Sequence, residues 1–155
     1  MTRPVFAFLT ALIALGLDRI TKIVFSNSLA LGQSIKVVPD IFYITLVHNT
    51  GAAFGMFKGQ TAVFGAVSLV VIVLITIYLF KTKSIELILA LALGMILGGA
   101  IGNLIDRIWL GYVIDFLDLR IWPVFNIADS CITVGTVILA VNILFRKESN
   151  ASCTR

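Results

Sequence analysis

Charged residues are scarce in this chain: they make up 13% of 155 residues, about half of the ~25% usual in a soluble domain. Hydrophobic residues make up 59%, and the mean hydropathy is +1.06. A chain of 16.9 kDa has too little interior to remove so much apolar surface from water. The same composition excludes a disordered chain, and two cysteines are too few for a disulfide scaffold. Most of the surface must therefore face lipid.

Metal-binding and nucleophilic motifs are also scarce. His48 is the only histidine, and Cys131 and Cys153 show no metal-ligand spacing. The sequence contains neither a Gly-x-Ser-x-Gly nucleophile turn nor a Gly-x-x-x-x-Gly-Lys-Ser/Thr phosphate loop. We therefore expect an activity that needs no metal and no cofactor.

Four stretches predict spanning helices, which need about 20 mostly apolar residues. They cover about 4–25, 61–80, 85–105 and 125–146, and they leave outward segments at about 26–60 and 106–124. The first stretch could instead be a signal peptide with a small-x-small site ending at Ala30. Asp18, Arg19 and Lys22 interrupt the approach to that site, so we expect the helix to be retained. The sequence thus predicts one all-α membrane domain, residues 1–155, built as a four-transmembrane-helix bundle.

The net charge of +4 comes from scattered lysines and arginines without a basic run, so we expect no nucleic-acid partner. An excess of basic residues at one side of the spans predicts the cytoplasmic side. Placing both termini inside the cell leaves Lys36, Lys58, Arg107 and Arg120 outside, with Arg19 and Lys22 near the outer end of the first span. It also gathers six basic residues on the cytoplasmic side, namely Arg3, Lys81, Lys83, Arg146, Lys147 and Arg155.

The first outward segment has the composition of β-structure. Ile35–Val38 and Ile41–Val47 are rich in β-branched and aromatic residues and flank a Pro-Asp turn. This pattern predicts a small hairpin or sheet at the membrane interface. The second segment carries aromatic residues of the kind enriched where hydrocarbon meets water, namely Trp109, Tyr112 and Trp122.

Several polar residues lie at membrane depth, where an ionisable group costs at least ~2.5 kcal/mol at mid-helix and needs a reason. Asp18 and Lys22 are four residues apart and share one helix face, which predicts a neutralising ion pair that could also brace a neighbouring site. Asn103 and Arg107 have the same spacing at the end of the third span. Small residues at 98–102 allow neighbouring helices to approach closely.

Asp115 and Asp129 are the candidate catalytic pair. Asp115 lies in an apolar setting 14 residues before Asp129, and a connection that short can bring both carboxylates to one edge of the bundle. Two acids close together in a low-dielectric site cannot both ionise cheaply, so they share one proton. One can then act as a base on water while the other polarises a peptide carbonyl.

Two other interpretations of these acids remain open at this point. Asn126 and Asp129 have the spacing of a helix-capping box, which would make Asp129 a structural residue. Acidic pairs also line the proton paths of small transporters, although such acids lie near the midplane of repeated halves. A membrane scaffold without activity would leave the clustered Asn, Asp and Arg residues unexplained.

Taken together, five blocks make the chain resemble the bacterial lipoprotein signal peptidases, or signal peptidase II. They are, in order, DRITK at 18–22, HNTGAAF at 48–54, GGAIGNLIDR at 98–107, VIDF at 113–116 and FNIAD at 125–129. The resemblance implies an inner-membrane aspartyl endopeptidase that removes signal peptides from prolipoproteins already carrying diacylglycerol on a cysteine. It implies cleavage just before that cysteine and an active site near the outer leaflet. As partners we expect prolipoprotein substrates and membrane lipid, and we expect the protein to act as a monomer.

The resemblance also assigns roles to individual residues. Asp115 and Asp129 would be the catalytic pair, and Asp18 and Lys22 would form a more remote structural pair. The supporting polar positions would be Asn49, Asn103, Arg107 and Asn126. One residue departs from the family pattern: Arg19 stands where the family commonly has Gln, and it adds a positive charge beside the Asp18–Lys22 pair.

Overall fold

The computed structural model describes residues 3–51, 59–82 and 84–152, with side chains as far as Phe145. In chain order the elements are α1 (Arg3–Ser28), β1 (Ser34–Val38), β2 (Phe42–Asn49), α2 (Thr61–Lys81), α3 (Leu87–Trp109), β3 (Val113–Asp118) and α4 (Ile127–Ser152). Of the positions considered above, Lys58, Lys83, Cys153, Arg155 and residues 52–54 lie outside the described residues.

The chain is a mostly helical, multi-pass membrane protein. Among the described residues, three stretches are long and apolar enough to cross a membrane: α2, α3 and residues Ile127–Phe145 of α4. At 26 residues α1 is also long enough, but Asp18, Arg19 and Lys22 lower its apolar character. A fourth span therefore stays a prediction.

Helix α3 forms the centre of the bundle. Two-thirds of its apolar stretch is buried, whereas almost all of the corresponding stretch of α2 faces outwards. Small residues explain the close contact of α3 with α1, because a Cβ atom at Gly98 would overlap the carbonyl oxygen of Ala11. This close approach brings the polar face of α1 against the polar end of α3.

The β-structure is larger than the sequence predicts. Strands β1 and β2 form the expected hairpin, but β3, from the second connection, adds a third antiparallel strand beside β2. The predicted all-α bundle with a small hairpin is corrected accordingly: the part of the chain that the structure describes has four helices and a three-stranded sheet, which includes a strand from the second connection. In the β2–β3 register Val47 lies opposite Asp115 and Asn49 lies opposite Val113. Asn49 and Asp115 are therefore diagonal neighbours on one face of the sheet.

The chain turns back sharply between β3 and α4. Phe125 N donates to Leu117 O at 3.0 Å, and Phe116 N and Leu117 N both donate to Phe125 O, at 3.0 and 2.7 Å. Phe116 is itself buried against Leu29 of the α1 end and against the sheet. These contacts hold the first turn of α4 beside Asp115, as the short connection predicts.

Candidate active site

The first turn of α4 is held by a capping box. Asn126 Oδ1 accepts a hydrogen bond from Asp129 N at 2.8 Å, and Asp129 Oδ2 accepts one from Asn126 N at 3.3 Å. The capping interpretation of these two residues is therefore correct as a description of the helix start. It leaves the second oxygen of Asp129 free to contact other groups.

Asp115 is held by two side-chain amides. Asn49 Nδ2 donates to its Oδ2 at 2.9 Å, and Asn126 Nδ2 donates to its Oδ1 at 2.7 Å. The side chain is buried, and burial raises the pKa of Asp115 to about 7, with the nearby charge of Asp129 acting in the same direction. The hydrogen bonds from Asn49 and Asn126 act against this rise in pKa because they stabilise the ionised form.

Asn126 connects the two acids. Its side-chain amide contacts Asp115 while its backbone N–H contacts Asp129, so both carboxylates converge on one residue. The other oxygen of Asp129 accepts a hydrogen bond from Asn103 Nδ2 at 2.7 Å. The same Asn126 amide also lies 3.1 Å from Asn103 Oδ1. Three asparagine amides, from α3, β2 and the start of α4, therefore surround the pair.

A cavity of about 250 Å³ opens beside Asp129. Its polar lining includes Asn49, Arg107, Asp129 and Thr133, and its apolar wall includes Trp122 and Phe125. Asp129 is half-buried and lines this cavity, whereas Asp115 is not one of its described lining residues and has 1% of its surface exposed. The cavity therefore reaches Asp129 directly, and Asp115 is linked to Asp129 through one residue, Asn126.

Arg107 lies at the rim of the cavity. Its Nη1 donates to the backbone oxygen of Asn103 at 3.3 Å, and its guanidinium lies 5.8 Å from the centre of the Phe64 ring. The side chain is only partly buried and makes no ion pair within the part of the chain that the structure describes. Its remaining donors are available to a carbonyl or carboxylate in the cavity.

A second buried polar group, here termed the ion cluster, consists of Asp18, Arg19, Lys22 and Asp106. Lys22 Nζ lies 3.0 Å from Asp18 Oδ2 and 2.7 Å from Asp106 Oδ2. Arg19 Nη2 lies 3.2 Å from Asp18 Oδ2 and 2.6 Å from Asp106 Oδ1. Two cations thus face two carboxylates, and the positive charge that Arg19 adds is matched by Asp106.

The ion cluster is joined directly to the aspartate pair. Lys22 Nζ donates to Asn103 Oδ1 at 3.0 Å, and the amide of Asn103 donates in turn to Asp129. Asp18 Oδ1 accepts a hydrogen bond from Ala128 N at 3.1 Å, one residue before Asp129. Asp18 and Lys22 contact neither Asp115 nor Asp129 directly among the described residues, but each is linked to Asp129 through one intervening residue.

The structure brings all eight sequence-predicted polar residues into one connected region, but sequence reasoning missed Asp106. This acid is buried, and its Oδ2 also accepts a hydrogen bond from Ile114 N at 3.2 Å, beside Asp115. A signal was present in the sequence, because an acid in the last turn of a helix opposes the helix dipole and needs a cation. The unexpected Arg19 is one of its two cations.

Comparisons with known proteins agree with this arrangement. The family model described as Signal peptidase (SPase) II matches residues 10–145. A lipoprotein signal peptidase of Moorella thermoacetica is 45% identical over 137 residues, covering 88% of this chain and 91% of that protein. Another, of Halothermothrix orenii, is 43% identical over 132 residues, covering 85% of this chain and 90% of that protein.

A solved structure agrees with the fold. It is described as a bacterial membrane enzyme determined by the in meso method at 2.3 Å resolution, and it matches with a TM-score of 0.86 at 30% sequence identity. The match covers 93% of this chain and 90% of that one. The family model matches most of this chain, and the alignments with the two relatives extend over nearly the whole length of those proteins. This chain therefore belongs to the signal peptidase II family.

Proposed function

We propose that this protein is an aspartic endopeptidase that removes the signal peptide from diacylglyceryl-modified prolipoproteins, cutting just before the lipidated cysteine. Membership of the signal peptidase II family supports the substrate and the reaction. The observation that carries the assignment of residues is the convergence of Asp115 and Asp129 on Asn126 at a cavity. Both acids are buried enough for one proton to be shared between them.

In the proposed mechanism the pair holds one proton at the start. One carboxylate removes a proton from a water molecule, whose oxygen attacks the carbonyl carbon before the cysteine. The other acid donates a hydrogen bond to the carbonyl oxygen and stabilises the developing negative charge. When the peptide bond breaks, a proton passes from the pair to the leaving amine, and the pair is ready for another cycle.

The surrounding side chains are assigned supporting roles. Asn103 and Asn126 fix the directions in which the two carboxylates point, because each donates to an acid from a separate element. Asn49 lies at the cavity and has an amide oxygen that accepts from Gly51 N at 3.0 Å, so it also shapes the start of the next segment. Arg107 is placed to hold a substrate carbonyl or carboxylate.

The proposed topology has four spans in the bacterial inner membrane, with both termini cytoplasmic and the sheet and aspartate pair near the outer leaflet. The protein is proposed to act as a monomer on membrane-embedded substrates, without nucleic acid. Single cysteines introduced at Lys36 and Lys81, in a chain lacking Cys131 and Cys153, test this orientation. A membrane-impermeant thiol reagent should label position 36 in intact cells, and labelling of position 81 alone would invert the topology.

The activity is tested with purified protein and a diacylglyceryl prolipoprotein in detergent. The substrate should become shorter by its signal peptide, with EDTA present, since the proposed chemistry uses only carboxylates and water. A matched prolipoprotein that lacks the diacylglyceryl group is the control and should be cut much more slowly. Loss of cleavage with EDTA that zinc restores would contradict the two-aspartate mechanism.

A further inference from the structure

A second groove lies between α1 and α3, separate from the cavity beside Asp129. It has a volume of about 230 Å³, and among the described residues it has no lining residue in common with that cavity. Its α1 side presents Arg19, Ile23, Ser26 and Asn27, which helical spacing places on one face. Its α3 side includes Trp109, which is 77% exposed at the helix end.

Arg19 is the charged residue with unused hydrogen-bond donors among the described residues that line this groove. Lys22 also borders it, but its ammonium has three donors and contacts three acceptors, on Asp18, Asp106 and Asn103. Arg19 uses only Nη2 for the two carboxylates. Its Nε and Nη1 donate to no atom in the part of the chain that the structure describes. About a quarter of the Arg19 side chain is exposed.

The position of Arg19 along α1 makes its unused donors energetically unfavourable. Arg19 lies nine residues before Ser28, the last residue of α1, which corresponds to about 14 Å along the helix axis. In the proposed topology, in which α1 spans the membrane and ends at the outer surface, an arginine at that depth lies below the headgroup layer, where an unpaired N–H group is unfavourable. Ser26 and Asn27 continue the polar side of the groove toward the helix end. They provide a path along which a headgroup oxygen can reach the guanidinium.

We propose that this groove binds a membrane phospholipid, with a phosphate oxygen accepting a hydrogen bond from Arg19 Nη1. The headgroup lies beside Ser26 and Asn27, and an acyl chain follows the apolar wall formed by Ile23, Ile105 and Trp109. Asp106 also borders the groove, but its Oδ1 is contacted by Arg19 and its Oδ2 by Lys22 and Ile114 N. Its negative charge is therefore offset and does not expel a phosphate.

The groove contains its own reporter. The chain has two tryptophans, so a Trp122→Phe variant leaves Trp109 as the only one. This variant is reconstituted in bilayers of digalactosyl diacylglycerol, which lacks phosphate, with increasing fractions of dibrominated phosphatidylglycerol. Bromine quenches tryptophan fluorescence on contact. Quenching of Trp109 should exceed the value expected from the bulk lipid composition, corresponding to a several-fold enrichment of the phospholipid at the groove.

Variants separate a specific site from general attraction. Arg19→Gln should return quenching to the bulk value, whereas Arg120→Gln removes the same charge outside the groove and should leave the enrichment unchanged. A Ser26→Leu, Asn27→Leu double variant leaves the ion cluster intact and should also abolish the enrichment, so the test does not depend on Arg19→Gln folding. The proposal would be overturned if quenching of Trp109 in the Trp122→Phe parent only matched the value expected from the bulk lipid composition. It would also be overturned if the Arg19→Gln and Arg120→Gln variants lost the same amount of lipid enrichment.

Discussion

The protein buries two pairs of aspartates within one connected region, and the two pairs are treated in opposite ways. Asp18 and Asp106 face two cations, Arg19 and Lys22, at 2.6 to 3.2 Å. Asp115 and Asp129 have no cation within ion-pair distance among the described residues and are held by asparagine amides instead. The same residue type therefore serves two purposes in neighbouring positions.

The difference follows from what each partner does to a proton. A cation favours the charged carboxylate, so the formal charges of the ion cluster cancel and the cluster can join α1 to α3 as a fixed support. An amide stabilises a carboxylate less strongly, so burial dominates and raises the pKa of Asp115 to about 7. Asp115 can then gain and lose a proton near neutral pH, which a peptidase acid or base must do.

The largest expected effect is loss of cleavage in Asp115→Asn and Asp129→Asn. An asparagine cannot exchange a proton at neutral pH, so each variant should lose at least the ~10²–10⁴-fold typical of acid–base catalysis. The measurement is the cleavage rate of a diacylglyceryl prolipoprotein, with thermal unfolding in detergent as the control for folding. In the proposed mechanism the pair acts as a unit, so the double variant should be scarcely slower than either single one.

This prediction also decides between two roles of Asp129. The capping box is real, and an asparagine at the third helical position can still accept a hydrogen bond from Asn126 N. A purely structural Asp129 would therefore tolerate the change with near-normal activity. Near-normal cleavage by a well-folded Asp129→Asn variant would show that Asp129 is structural. The proposed distinction between a supporting aspartate pair and a catalytic pair would then be lost.

Next in size is the effect of Lys22→Met on stability. The change removes one of two cations from the ion cluster and leaves a buried carboxylate charge only partly compensated, which should cost about 3–5 kcal/mol of unfolding free energy. Lys36→Met, on the exposed strand β1, is the matched control and should change stability little. Equal stability of Lys22→Met and the parent protein, measured by thermal unfolding in detergent, would contradict the supporting role of the cluster.

The sequence predicts the helices and the acid pair better than it predicts the connections between them. Long apolar runs mark α2 and α3 because lipid requires about 20 apolar residues for a span. Strand β3 was missed because its six residues are too few to distinguish a buried strand from the start of a helix by periodicity alone. Asp106 was missed because its partners Arg19 and Lys22 are more than 80 residues away, and such pairing depends on helix packing.

Asn103→Ala should have an intermediate effect on cleavage. Asn103 accepts from Lys22 and donates to Asp129, so it transmits the position of the ion cluster to the aspartate pair. A hydrogen bond to a charged group contributes roughly 1.5–3 kcal/mol, which corresponds to about a 10- to 100-fold fall in the cleavage rate. Arg107→Ala should lower kcat/KM by a similar factor, mainly because it raises KM. Unchanged cleavage kinetics in both variants would show that the ion cluster does not influence catalysis by Asp115 and Asp129.

Gly102→Ala tests the packing that keeps the two pairs together. A Cβ atom at this position would stand 2.6 Å from Asp18 Oδ2, so Asp18 or the helix must move. Overpacking of this kind should cost about 1–3 kcal/mol. Gly16→Ala on α1 is the control, because its Cβ atom would meet nothing within 4 Å, and removing a helical glycine should stabilise by about 0.5–1 kcal/mol. Equal unfolding temperatures in the two variants would show that Asp18 is free to shift.

The smallest expected effect is a change in pH dependence in Asn49→Ala. The amide of Asn49 favours the ionised form of Asp115, so its removal should raise the pKa of Asp115 further above about 7. The pair then keeps its proton to a higher pH, and the alkaline fall of kcat/KM, which reports the free enzyme, should move upward. A hydrogen bond contributes roughly 1 kcal/mol and one pH unit corresponds to about 1.4 kcal/mol, so the shift should be about half to one unit.

The position of this alkaline limb is informative even if Asn49→Ala also weakens substrate binding, because weaker binding lowers kcat/KM at every pH without moving the limb. Asn142→Ala is the matched control, since its amide contacts Glu86 at the opposite end of the bundle, and its limb should stay in place. A downward shift in Asn49→Ala would mean that Asn49 favours the protonated acid. In that case the amide of Asn49 would favour the protonated form of Asp115, whereas cations favour the ionised form of the carboxylates that they contact. The surroundings of the two aspartate pairs would then have opposite effects on ionisation.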